Sequence, residues 1–182
     1  ENPVKFIGYV RREDIKFDVK MCETRKLPQT VYESKKTEAM SSRIVKWLAE
    51  KEKTIVYFPY AQNAFDASRG VRGFAGIKTD PRIGVFTGKN VDELSTETFN
   101  EKKRETFEKF RTGEQSIMYA TKAFGMGVDI DDVQNVYHYA VSGNLCDYIQ
   151  EIGRVARKPE MTGVAITDFF YNDMTYMNKL FG

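Results

Sequence analysis

Ala120-Thr121-Lys122-Ala123-Phe124-Gly125-Met126-Gly127-Val128-Asp129, answered downstream by Gln150-Glu151-Ile152-Gly153-Arg154-Val155-Ala156-Arg157, is the part of the chain from which the rest can be read. Taken as a helix over residues 145–157, the second segment places Leu145, Tyr148, Ile149, Ile152, Val155 and Ala156 on an apolar stripe at three- and four-residue spacing. Gln150, Arg154 and Arg157 then fall at i, i+4 and i+7 and share the opposite face. Two neighbouring guanidiniums repel unless an anion lies between them. Arginine keeps its charge, and its planar fork fits phosphate oxygens, so a fixed Arg pair suits a transferring phosphoryl group. The same spacing also describes a solvated basic face, and the helix alone leaves both open. In the first segment a short apolar run, residues 116–120, predicts a buried strand. It feeds a loop in which Gly125 and Gly127 allow unusual backbone angles or close approach by a ligand.

Composition sets outer bounds. The chain has 182 residues, 41% hydrophobic and 30% charged, which is the make-up of a globular protein large enough for a real core. A net charge of +2 does not itself predict nucleic acid, so any basic groove has to come from local placement. Two cysteines, Cys22 and Cys146, and one histidine, His138, exclude a four-cysteine zinc site. No apolar run approaches membrane-spanning length and no signal peptide is visible, so an intracellular setting with reduced thiols is expected, cytoplasmic or nucleoid/nuclear. The abrupt start at Glu1 suggests a piece of a longer protein.

The order of elements follows from periodicity. Strands are predicted over residues 4–10, 54–58, 82–87, 116–120, 133–140 and 163–170. Helices are predicted over 37–51, from 62 to about 70 or 73, over 98–111, over 145–157 and over 172–180. Residues 11–35 carry no clear pattern. Met40, Ile44, Trp47 and Leu48 form one apolar face of the first helix, with Trp47 read as a core anchor. Thr98 and Glu101 suit a capping box, and Thr112-Gly113 a helix end. Arg69 and Arg72 are expected to face solvent. Alternating strands and helices argue for an α/β fold with a parallel sheet. Ligands of such sheets sit beyond the carboxyl ends of the strands, where Tyr60, Thr87, Gly88 and Thr121 fall.

These residues together resemble superfamily 2 helicases, most closely the RecQ-like branch. Residues 120–129 resemble its motif V, residues 150–157 its motif VI, and Ile55-Val56-Tyr57-Phe58 its motif IV. The resemblance implies a three-layer RecA-like domain, a central mostly parallel sheet flanked by helices. It implies a lead-in over residues 1–35 and the helicase C-terminal domain over 36–182. By the same resemblance Arg154 and Arg157 would reach the γ-phosphate of ATP as arginine fingers. Gly127, Asp129 and Gln150 would bind or couple to the nucleotide. Tyr60, Thr87, Gly88, Thr121 and Lys122 would contact nucleic acid, although Lys122 equally suits a solvated lysine. Val155-Ala156 stands where the family has Ala-Gly, and Lys158-Pro159 where it has Asp-Gly.

The phosphate-holding half is missing. The only Gly-Lys pair, Gly88-Lys89, is followed by Asn90 and does not make a P-loop. Asp92-Glu93 imitates a DExx box without the aliphatic run before it. ATP with Mg2+ would therefore be held mainly by an N-terminal motor domain, and the chain is not expected to hydrolyse ATP alone. DNA is the expected nucleic acid. A helicase-like binding or scaffolding module, and an RNA helicase or translocase of another branch, are the alternatives.

Overall fold

The computed structural model describes residues 12–125 and 130–174. Six parallel strands form one sheet: Ile15–Glu23 (β1), Thr54–Tyr57 (β2), Ile83–Phe86 (β3), Ile117–Ala120 (β4), Asn135–His138 (β5) and Gly163–Phe170 (β6). Four helices connect them: Gln29–Glu50 (α1), Ala61–Arg69 (α2), Thr96–Thr112 (α3) and Leu145–Ile152 (α4). The predicted strand at residues 4–10 lies outside the described residues. So does most of the predicted helix at 172–180; its residues 172–174 are described and, with Tyr171, are helical.

The spatial order β1-β6-β5-β2-β4-β3 explains the layers. The steps from β1 to β2 and from β2 to β3 run one way along the sheet, and all later steps run back. Right-handed crossovers put helices of opposite travel on opposite faces. The buried side chains divide accordingly. Met40, Ile44, Trp47 and Leu48 of α1 pack with Ala64 and Ala67 of α2 against Val56, Ile117, Tyr119 and Tyr137. Phe110 of α3 and Ile152 of α4 pack on the other face against Ile55, Tyr57, Met118, Ala120 and Val136. Neighbours along β2 and β4 alternate between the two clusters, as the two-residue period of a strand requires. Trp47 is a core anchor, meeting Tyr137 edge-to-face at 5.8 Å. In the edge strand β1, Phe17, Val19 and Met21 are exposed, on the strand face opposite the Asp18 carboxylate that pairs with Arg43 of α1.

Several expectations need correction. β1 occupies residues read as patternless, although Ile15, Phe17, Val19 and Met21 alternate with Lys16, Asp18, Lys20 and Cys22. The helix predicted at 37–51 begins at Gln29, directly after Pro28. Its first turns carry few apolar residues; they are anchored by polar groups, Tyr32 and Lys36, on Asp173. The predicted capping box at Thr98 is displaced: α3 starts at Thr96, and Ser95 is the cap, its hydroxyl accepting from the Thr98 backbone N–H at 3.2 Å. Arg69 and Arg72 face solvent as expected, and each is paired there, with Asp92 and Asp66.

Gly163 opens β6 against the segment that follows α4. A Cβ there would stand 1.6 Å from Val155 Cγ1 and 3.0 Å from the Gln134 carbonyl oxygen. Gly163→Ala is expected to cost about 1–3 kcal/mol of stability through overpacking. Part of that should return in Gly163→Ala/Val155→Ala. Denaturation midpoints of the two variants check it, and an unchanged midpoint for Gly163→Ala would refute the clash.

One carboxylate is expected to make stability fall in acid. Arg82 forks onto both oxygens of Asp80, at 2.9 and 2.8 Å, and its backbone N–H adds a bond of 3.0 Å. The Arg82 side chain is the main reason that the Asp80 carboxyl is held down at about 2. A carboxyl lowered in the folded state stabilises it fully above its unfolded pKa of about 4. That contribution is lost as pH falls from about 4 through about 2. Asp80→Asn is expected to flatten the acid limb of a stability–pH curve in this window, and an unaltered slope would sink the assignment.

Candidate nucleotide and nucleic-acid interface

Loops leaving β2, β3 and β4 meet at the carboxyl edge of the sheet. Tyr60, at the N-cap of α2, is exposed. Gly88 follows β3 and packs so closely on the β4 loop that a Cβ would lie 3.0 Å from Ala123 Cβ. Thr121 follows β4, and its backbone N–H donates to the Phe86 carbonyl at 3.3 Å. Tyr60, Gly88, Lys89, Thr121 and Lys122 line one cleft of about 710 Å³. Lys122 is exposed, with Asp147 at 4.0 Å. The structure thus brings together four of the five residues expected on nucleic acid. The fifth, Thr87, is buried, and its hydroxyl donates to the Lys89 carbonyl at 2.9 Å, so its side chain shapes the loop rather than the cleft wall.

The arginine segment differs from expectation. α4 ends at Ile152, so Arg154 and Arg157 lie beyond the helix, and sharing a helical face with Gln150 does not describe them. A competing strand-like pairing ends the helix. Val155 pairs with Val133 as an isolated parallel bridge, and the Ala156 N–H donates to the Val133 carbonyl at 3.0 Å. Ala156 takes φ 53°, a left-handed angle that a helix cannot continue through. Glycine, which the resemblance places at this position, accepts such an angle at no steric cost. The Arg12 guanidinium locks the turn by donating to the Val155 carbonyl at 2.7 Å. The predicted apolar stripe is only half buried: Ile152, Val155 and Ala156 are inside, whereas Leu145 and Ile149 are exposed.

Arg154 is half-buried and Arg157 exposed, its Nε donating to the Gly153 carbonyl at 3.1 Å. Both lie within electrostatic reach of Tyr57 at the end of β2. Burial raises that phenol's pKa and Glu151 raises it further, while the two guanidiniums pull it down. Gln150 is exposed. Gly127 and Asp129 lie outside the described residues. Chemically the segment offers positive charge to anionic oxygens. Among the described residues no group of three or more His, Cys, Asp or Glu could hold a metal ion, and no helix is long and apolar enough to cross a membrane.

Sequence reasoning passed over His138 and Glu151. His138 ends β5, is 1% exposed, and donates from Nε2 to Glu151 Oε2 at 2.9 Å. Ser142 donates its hydroxyl to the same oxygen. The signal was present, a lone histidine at a strand's carboxyl end and an acid inside motif VI, but nothing local joins them.

The helicase conserved C-terminal domain family matches residues 35–159. The chain is 39% identical over 70 residues to "ATP-dependent DNA helicase Q-like 5" of Arabidopsis thaliana, covering 38% of this chain and 7% of that one. It is 26% identical over 145 residues to "ATP-dependent RNA helicase DBP2" of Lodderomyces elongisporus, covering 80% of this chain and 24% of that one. The chain therefore spans a quarter or less of these relatives. Among solved structures, "Mss116p DEAD-box helicase domain 2 bound to an RNA duplex" superposes with a TM-score of 0.63 at 21% identity, covering 90% of this chain and 58% of that one, a likeness of fold. With the match running over more than half its length, the chain belongs to the helicase conserved C-terminal domain family, and its six-stranded parallel sheet is the RecA-like fold of the C-terminal motor domain of superfamily 2 helicases.

Proposed function

We propose that the chain is the second motor domain of an ATP-dependent helicase of the RecQ-like branch, acting on DNA. The observation that carries this is the placement of two sets of residues near one edge of the sheet. Tyr60, Gly88, Thr121 and Lys122 line a cleft beyond the strand ends, and Arg154 and Arg157 lie within electrostatic range of Tyr57 at the end of β2. In this reading the cleft grips the backbone of one nucleic-acid strand, with Thr87 holding the β3 loop in shape. Arg154 and Arg157 meet a triphosphate presented by an N-terminal RecA-like domain of the same protein, which holds ATP and Mg2+. Gln150, Gly127 and Asp129 couple nucleotide state to the seam between the two domains. Closure of that seam completes the catalytic set, so this half alone does not turn over ATP.

Motif V supports the RecQ-like branch, as does the identity to the Q-like DNA helicase. The RNA reading draws support from the relative that covers the larger share of the chain, an RNA helicase by name. The test joins this chain to the nucleotide-holding half of its parent and measures ATP hydrolysis and duplex unwinding with DNA and with RNA. Stimulation and unwinding by DNA over RNA is expected. The reverse order would move the protein to an RNA-acting branch, and no stimulation by either would remove the motor reading.

A further inference from the structure

α4 is short, about 12 Å at 1.5 Å per residue, and two of its apolar side chains, Leu145 and Ile149, face outward. Apolar packing alone therefore holds it weakly. What replaces that packing is the Glu151 carboxylate, 7% exposed and fed by two donors from the opposite side, His138 at the end of β5 and Ser142 in the loop after it. The imidazole is stacked on Tyr57 at 5.7 Å and tilted against Tyr148 at 4.9 Å, which fixes its plane. Ser142 bonds the carboxylate and not the imidazole, so this is no nucleophile–base relay. Glu151 also acts through its backbone: its carbonyl accepts the Arg154 N–H at 3.2 Å. One residue thus ties α4 to β5 by its side chain and begins the arginine turn by its main chain.

We propose that Glu151, held by His138 and Ser142, is a positioning residue that sets where Arg154 and Arg157 stand relative to the sheet edge. The inference rests on the arginine-finger reading above. A buried carboxylate with two donors has one comfortable position, whereas a helix end without it can slide. A displacement near 1 Å in a group aimed at the reacting phosphate can cost about 100-fold in rate.

The test uses the complete parent protein with saturating nucleic acid. Glu151→Leu is expected to lower ATP turnover by about 10- to 100-fold while the KM for ATP stays within about threefold, because the nucleotide is held by the other domain. Glu151→Gln keeps an oxygen for both donors and is expected to recover most of the turnover. On an Arg154→Ala/Arg157→Ala background, Glu151→Leu should cause no further loss, since Glu151 acts through those two groups. If Glu151→Leu does not fold, Ser142→Ala carries the test and should show a smaller loss, again in kcat alone. Full turnover in the variant that folds, an equal loss in Glu151→Gln, or a loss shared by KM overturns the proposal. Arg157→Ala run alongside separates the two levels. If it is inactive while Glu151→Leu is active, only the positioning role falls; if both are fully active, the finger reading falls with it.

Discussion

Arg157→Ala, in the complete parent protein, is expected to lower nucleic-acid-stimulated ATP turnover by about 10³ to 10⁵. That corresponds to about 4–7 kcal/mol of lost transition-state stabilisation. The size follows from where the charge develops. Phosphoryl transfer spreads negative charge over the γ-phosphate oxygens, and a preorganised guanidinium in a closing, dry seam meets that charge without reorganising. Arg157 is suited to this, being exposed and anchored through Nε to the Gly153 carbonyl rather than swinging from a mobile loop. The affinity for ATP should change far less than kcat, because in the proposed function ground-state binding belongs to the N-terminal domain. Arg157→Lys should recover little, since a point charge cannot replace a planar fork. Turnover of Arg157→Ala equal to the unaltered protein would count directly against the finger role.

Asp173→Ala should be the most damaging single change to stability, at about 3–5 kcal/mol. Asp173 lies just after β6 and is 2% exposed. It takes the Lys36 ammonium, itself 1% exposed, together with the Tyr32 hydroxyl at 2.7 Å and the Phe170 backbone N–H at 2.9 Å. Burial lowers the Lys36 pKa, and Asp173 works against that shift. Removing the carboxylate strands a cation among the rings of Tyr32, Tyr139 and Phe170, each about 5 to 6 Å from its nitrogen. Those rings soften the loss without replacing a counter-ion. The thermal midpoint should fall by roughly 6–20 °C for a chain of this size. Lys36→Met/Asp173→Leu should recover most of it, because a well-packed apolar pair avoids burying charge at all. Chemical denaturation of the three forms decides the matter. A cost below about 1 kcal/mol for Asp173→Ala would show that the pair does not hold α1 to the end of β6.

The α/β class, the parallel sheet and four of the six strands, nearly to the residue, are legible from local pattern, because buried strands are short β-branched and aromatic runs and need no partner to be recognised. So are α1's apolar face, with Trp47 in the core, and the carboxyl edge as the place where Tyr60, Gly88, Thr121 and Lys122 converge, since parallel strands deliver their following loops to one side. The remaining boundaries depend on contacts between residues far apart in the chain. The start of α1 at Gln29 is fixed by Tyr32 and Lys36 meeting Asp173, a pairing no local window contains. The end of α4 at Ile152 is fixed by the Val133–Val155 bridge and by Arg12 on the Val155 carbonyl, which outweigh the helical period of residues 145–157. Thr87 turns inward because its hydroxyl finds the Lys89 carbonyl. Periodicity reports which face a residue prefers, and long-range bonds choose where the element carrying it stops.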